Sequence, residues 1–205
     1  MTLHATLREA ATTFPDRSWI RFEDTSWSYA EGDALTDKIA SGLVAQGIEP
    51  GDRVGLLFTN CPELVFCYFA CFKIGAVAVP LNVRFQVAEL VYALNHCDVK
   101  ILIGLPDLLT PVLGARAELA GLQRIFVANG ELTSTESYSI LIQETPVALP
   151  PVAEDQLAVL LYTSGTTARP KGVMHSHATL RRQSQNYLAT LGPAVYAQTL
   201  IFLPL

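Results

Sequence analysis

Leu157-Ala158-Val159-Leu160-Leu161-Tyr162-Thr163-Ser164-Gly165-Thr166-Thr167-Ala168-Arg169-Pro170-Lys171-Gly172 is the stretch from which the rest of the chain is best read. Its first six residues form a short apolar run, the pattern of a strand buried on both faces. The run gives way to small hydroxyl residues and glycine, then to a lysine, and a helix is expected from about His177. A strand that opens into such a loop offers hydroxyl donors, exposed N–H groups and one positive charge at its carboxyl end, where α/β sheets bind ligands. Those are the groups a polyphosphate requires. The spacing is not that of the common P-loop: counted from Gly165, Pro170 falls where the second glycine belongs and Gly172 where the magnesium-binding hydroxyl belongs.

Upstream, short apolar runs alternate with helical periodicity. Leu3, Leu7, Ala11 and Phe14 share a helical face that Pro15 and Asp16 end, and Trp19–Phe22 with Trp27–Tyr29 flank Asp24 and Thr25 as a hairpin. Leu35, Ile39 and Leu43 define a second helix that ends near Gly47, followed by a strand over 53–58. Asn60 is the expected cap of a helix that runs to about Lys73, with Pro62 in its first turn. Strand 76–79, helix 86–95, strand 100–104, a helical stretch near 108–119 and strand 124–127 continue the alternation. The predicted fold class is α/β, a doubly wound and mostly parallel sheet flanked by helices. Residues 129–156 are rich in Ser, Thr and Glu and then in proline. They read as a linker or subdomain boundary between an α/β subdomain over 1–128 and a second α/β segment over 157–205 that carries the phosphate loop.

Charge is divided unevenly. Residues 1–156 carry 10 basic and 19 acidic side chains, whereas 157–205 carry Arg169, Lys171, Arg181 and Arg182 and no acid. A cationic stretch on an acidic chain favours an anionic ligand; solvated arginines on a helix are the plainer alternative. No basic cluster with interleaved aromatics occurs, which argues against a nucleic-acid partner. Cys61, Cys67, Cys71 and Cys97 lack C-x-x-C spacing, so they read as small buried hydrophobes in a reducing cytoplasm rather than as a metal or disulfide set. The first 14 residues lack the apolar core of a signal peptide, and the most membrane-like window, 64–81, is broken by Lys73, Gly75 and Pro80. That window reads as a buried helix followed by a buried strand.

Tyr162-Thr163-Ser164-Gly165-Thr166-Thr167 followed by Pro170-Lys171-Gly172 resembles the phosphate-binding motif of the adenylate-forming superfamily. The resemblance extends through Gly51-Asp52-Arg53-Val54 and Lys73-Ile74-Gly75-Ala76-Val77 to Pro80-Leu81-Asn82, nearly the whole chain. Leu81-Asn82-Val83-Arg84 is more similar to acyl-CoA synthetases than to peptide-synthetase adenylation domains, which typically have an aspartate where Asn82 stands. The resemblance implies a two-step reaction. A small-molecule carboxylic acid attacks the α-phosphate of ATP to give an acyl adenylate and pyrophosphate, and the thiol of coenzyme A then displaces AMP. It implies hydroxyl donation by Thr163, Ser164, Thr166 and Thr167, close backbone approach at Gly165, and pairing of Lys171 with the β- and γ-phosphates, with Mg²⁺ sharing the charge.

Ala168 departs from the family pattern, which usually has glycine there. A left-handed backbone at that position would cost alanine about 1–2 kcal/mol and reduce loop mobility, in which case Ala168→Gly should change ATP affinity or turnover. His175 and His177 stand two apart; a metal site is one reading and helix-entry or loop packing the other, and the lack of neighbouring Cys, Asp or Glu favours the second. The family's magnesium-binding glutamate, ribose-binding aspartate and catalytic lysine are expected beyond Leu205, so no catalytic residue is assigned here and the 205 residues alone are expected to be impaired or inactive. Two other readings stay open: a non-enzymatic nucleotide-binding module, and an adenylation domain or acyl-AMP ligase serving a carrier protein. The acid itself and the oligomeric state are not legible.

Overall fold

A computed structural model describes residues 1–145, 147–163 and 170–191. The N-terminal helix α1 (Leu3–Thr13) precedes a hairpin of β1 (Ser18–Phe22) and β2 (Thr25–Ser28). The chain continues through α2 (Tyr29–Ala45), β3 (Arg53–Leu57), α3 (Pro62–Ile74), β4 (Val77–Pro80), α4 (Val87–His96), β5 (Val99–Gly104), α5 (Pro106–Gly114) and β6 (Arg124–Val127). After β7 (Glu136–Ser137) come β8 (Leu157–Thr163), β9 (Lys171–Ser176) and α6 (His177–Leu191). Strands β3 to β9 form one seven-stranded sheet in the order β7-β6-β5-β3-β4-β8-β9. Every neighbouring pair is parallel except β8–β9, which is antiparallel.

The two faces of the sheet bury separate cores, as strand alternation requires. Val54, Leu56, Ile101 and Ile103 meet Ile39 and Leu43 of α2 and Phe66, Cys67 and Ala70 of α3. The alternate residues Leu57, Val77, Val79 and Leu102 meet Leu90 and Leu94 of α4 and Leu109 and Val112 of α5. Helices therefore cover both faces, and the α/β doubly wound expectation holds. Window 64–81 is the buried helix α3 followed by buried β4, and no helix among the described residues is long and apolar enough to cross a membrane. Cys67, Cys71 and Cys97 are buried free thiols, and burial pushes Cys71 up to about 12.

Several boundaries differ from the expectations, each for a local reason. Tyr29 belongs to α2 rather than to the hairpin, because Ser28 and Glu31 close a capping box: Glu31 N–H donates to Ser28 Oγ at 3.2 Å and Ser28 N–H to Glu31 Oε2 at 2.8 Å. The cap of α3 is Cys61, not Asn60, with Pro62 at the first helical position. That helix ends at Gly75, whose φ of 68° is the left-handed conformation glycine adopts without strain. Phe14, assigned to the buried face of α1, is 52% exposed. The helical stretch near 108–119 is α5, which stops at Gly114, and a separate 3-10 turn over Arg116–Glu118. Within 129–156, Tyr138 and Leu141 are buried, and the Leu141 carbonyl lies against Gly42 of α2.

Candidate functional site

Thr163 is the last residue of β8 and Lys171 the first of β9, and the register sets the two directly opposite each other. Both are exposed. Lysine 171, read from the sequence as part of a loop, begins an edge strand instead: the exposed run Lys171–Met174 has no hydrophobic alternation to announce it, and it forms because β8 offers a free ladder. Ser164, Gly165, Thr166, Thr167, Ala168 and Arg169 lie outside the described residues, between these two strand ends in the chain. Antiparallel pairing of β8 with β9 thus brings the two ends of the motif together, a hydroxyl on one and an ammonium on the other. Among the described residues Lys171 forms no ion pair, and 157–205 holds no carboxylate to neutralise it.

The ends of these two strands are shaped by Tyr162 and Gly172, also registered opposite each other. A β-carbon at Gly172 would stand a tight 3.2 Å from Leu160 Cδ1 and at ordinary contact distance, 3.5 Å, from Tyr162 Cζ, so glycine leaves the Leu160 side chain its space beside the tyrosine ring. Tyr162 is 6% exposed, and burial first, then Cys97, raises its pKa. Its hydroxyl lies 2.7 Å from His96 Nδ1 on the last residue of α4, and the two rings meet edge to face at 5.9 Å. Sequence reading placed Tyr162 in the motif but did not single out His96. Sixty-six positions separate the pair, and no local periodicity links a helix end to a strand end.

His177 is the first residue of α6 and is fully buried. Its Nδ1 accepts the Leu3 N–H at 3.4 Å, its ring packs edge-on against Phe72 at 5.3 Å, and His4 stands 6.0 Å away. Burial first, then His4, lowers its pKa to about 4. These contacts are those of the packing reading, and among the described residues no group of three or more His, Cys, Asp or Glu able to hold a metal occurs. Residues 157–205 do not fit a Mg²⁺ site of their own, because they supply hydroxyls and an ammonium but no carboxylate. An open concavity of about 580 Å³ lined by Val127, Gly130, Leu132 and Thr135 lies across the sheet, with β5, β3 and β4 between it and β8.

The profile of the family described as AMP-binding enzyme matches residues 7–205. The chain belongs to that family. Among its relatives, feruloyl-CoA synthase of Amycolatopsis sp is 37% identical over 191 residues, covering 93% of this chain and 36% of that protein. Crotonobetaine/carnitine--CoA ligase of Proteus mirabilis is 35% identical over 165 residues, covering 76% of this chain and 32% of its own length. The structure of a Mycobacterium tuberculosis fatty acyl CoA synthetase superposes with a TM-score of 0.82 at 26% identity, over 92% of this chain and 37% of that one. The chain therefore spans about a third of the length of these relatives.

Proposed function

We propose that the protein to which these residues belong is an AMP-forming acid–thiol ligase, which activates a carboxylic acid as an acyl adenylate and transfers the acyl group to coenzyme A. The observation that carries this reading is the registration of Thr163 opposite Lys171, because it sets a cation with no carboxylate partner among the described residues beside a hydroxyl at the two ends of the motif. In the first step an oxygen of the substrate carboxylate bonds to the α-phosphorus of ATP and pyrophosphate leaves. The leaving group gains negative charge, and Lys171 with the hydroxyls of Thr163, Ser164, Thr166 and Thr167 is suited to meet it, while Gly165 admits the phosphate close to the backbone. A bound Mg²⁺ would add charge neutralisation. In the second step the coenzyme A sulfur bonds to the acyl carbon and AMP leaves, so the nucleophilic thiol belongs to the substrate and the buried cysteines have no part in it.

The names of the curated relatives support coenzyme A as acceptor. ATP–pyrophosphate exchange driven by a panel of carboxylic acids, on this chain and on the longest polypeptide whose reading frame contains it, tests the proposal. Exchange by the longer product is expected. Silence from both with every acid would replace the ligase by a nucleotide-binding module, and exchange with transfer to a carrier protein but not to coenzyme A would replace it by an acyl-AMP ligase.

A further inference from the structure

We infer that His96 is a positioning residue for the paired strand ends Thr163 and Lys171, acting through the hydroxyl of Tyr162; the inference rests on the proposed role of the phosphate motif. Strand β8 joins the sheet beside β4 and pairs along its other side with β9. Its pairing with β4 is registered at Ala78↔Val159. Val77 and Leu81 of the β4 segment donate their N–H groups to Asp52 and Leu56 on the β3 side. Strand alternation therefore turns Ala78 and Pro80 toward β8, and Pro80 has no N–H to give. One N–H donor is therefore missing from the β4–β8 ladder at that proline, whose carbonyl remains free to accept. Beyond Val159, the backbone of β8 is paired with β9, an exposed edge strand that begins at Lys171.

A side-chain tie from Tyr162 to α4 supplements that ladder. Tyr162 adjoins Thr163 and faces Gly172, so its ring touches both strands of the hairpin one residue below the motif. The hydroxyl reaches His96 Nδ1 at 2.7 Å, and Tyr92 packs against the same imidazole, with ring centroids 5.2 Å apart. With the tyrosine O–H as donor, the histidine proton resides on Nε2 and Nδ1 is the acceptor. Helix α4 is anchored in the core through Leu90 and Leu94. His96 thereby transmits the position of a rigid helix to the strand end from which the loop departs. Its own side chain is exposed, so replacing it opens no cavity in the core.

The test uses His96→Leu, which removes the acceptor, His96→Asn, which restores a carbonyl oxygen near the place of Nδ1, Tyr162→Phe, and the double variant His96→Leu/Tyr162→Phe, all in the longest polypeptide that contains the chain. Two readouts are taken: amide hydrogen exchange over 157–163 and 171–176, and the ATP dependence of pyrophosphate exchange. Expected for His96→Leu is faster amide exchange in both strands and a KM for ATP raised about fivefold, the weight of one neutral hydrogen bond, with kcat and the KM for the acid within about twofold. His96→Asn should restore both readouts, and the double variant should be no worse than either single change. Unchanged protection of the hairpin, an Asn variant as impaired as Leu, or losses that multiply in the double variant would each overturn the inference. An unmutated protein that exchanges with no acid would instead defeat the ligase reading, while the amide protection still decides whether His96 holds the hairpin.

Discussion

Lys73 of α3 carries a buried positive charge. Its side chain is 1% exposed, and its ammonium donates to the Asp33 carbonyl at 2.7 Å, to Asp33 Oδ1 at 2.6 Å and to Asp37 Oδ1 at 2.8 Å. Arg8 of α1 reaches the same two carboxylates, at 3.3 Å and 2.7 Å, so one cluster joins α1, α2 and α3. Lys73→Met keeps the length of the aliphatic stem and removes the charge. Removing one partner of a buried ion pair costs about 3–5 kcal/mol, most of it the stranded partner's desolvation. Here Asp33 and Asp37 are 15% and 24% exposed and retain Arg8. That places the loss near the lower end, about 3 kcal/mol, or a fall in Tm of about 6–12 °C for a chain of this size. Arg8→Met is the control, because that side chain is 53% exposed, and an exposed ion pair contributes less than about 1 kcal/mol. Urea unfolding followed by circular dichroism at pH 7 separates the two variants. A loss below about 1 kcal/mol for Lys73→Met, or equal losses for both, would refute the view that Lys73 organises the three helices.

Other outcomes follow from the same geometry. Lys171→Ala should lower acid-dependent ATP–pyrophosphate exchange about a hundredfold, the scale of losing one preorganised charge-stabilising donor, while the circular dichroism spectrum stays unchanged because the side chain is exposed. His177 is held neutral with a pKa lowered to about 4 against an ordinary 6.5. Between those values the unfolded chain binds a proton that the folded chain does not, so this contribution to stability is complete above about pH 6.5 and falls by about 3 kcal/mol as pH drops through 4. His177→Gln should flatten that part of the curve, measured as urea midpoints at pH 7 and 4.5; equal slopes would count against burial as its cause. Gly42→Ala would place a β-carbon 2.0 Å from the Leu141 carbonyl oxygen. A substitution that adds about 1 kcal/mol to an isolated helix should here destabilise by about 2 kcal/mol, visible as a lower unfolding midpoint.

What the chain spells out locally, it spells out reliably. Continuous apolar runs such as Ile101–Gly104 and Ala158–Tyr162 need covering on both faces, which already implies a parallel sheet under two helical layers. Proline at position 62 and glycine at 75 bracket α3 because each has a backbone preference that acts without neighbours. The Thr/Ser/Gly motif and its lysine are contiguous, so family membership was legible there and the profile match agrees.

The remainder depended on residues that meet only when the sheet forms. Lys171–Ser176 carries no strand pattern of its own, since most of its side chains face solvent, and it becomes β9 because β8 has an unpaired edge. Lys73 interrupts an apolar run and reads as a helix-end charge; that it is buried follows from Asp33 and Asp37, 40 and 36 positions away, which turn toward it from α2. His96 has no distinguishing context in the chain and acquires one only from Tyr162. Periodicity, caps and motifs are encoded by short-range sterics and hydrogen bonding, so sequence alone determined the helices, the parallel strands and the family. Pairing of an exposed edge, burial of a charge and a hydrogen bond across 66 positions are properties of the folded surface, and the tertiary structure alone decided them.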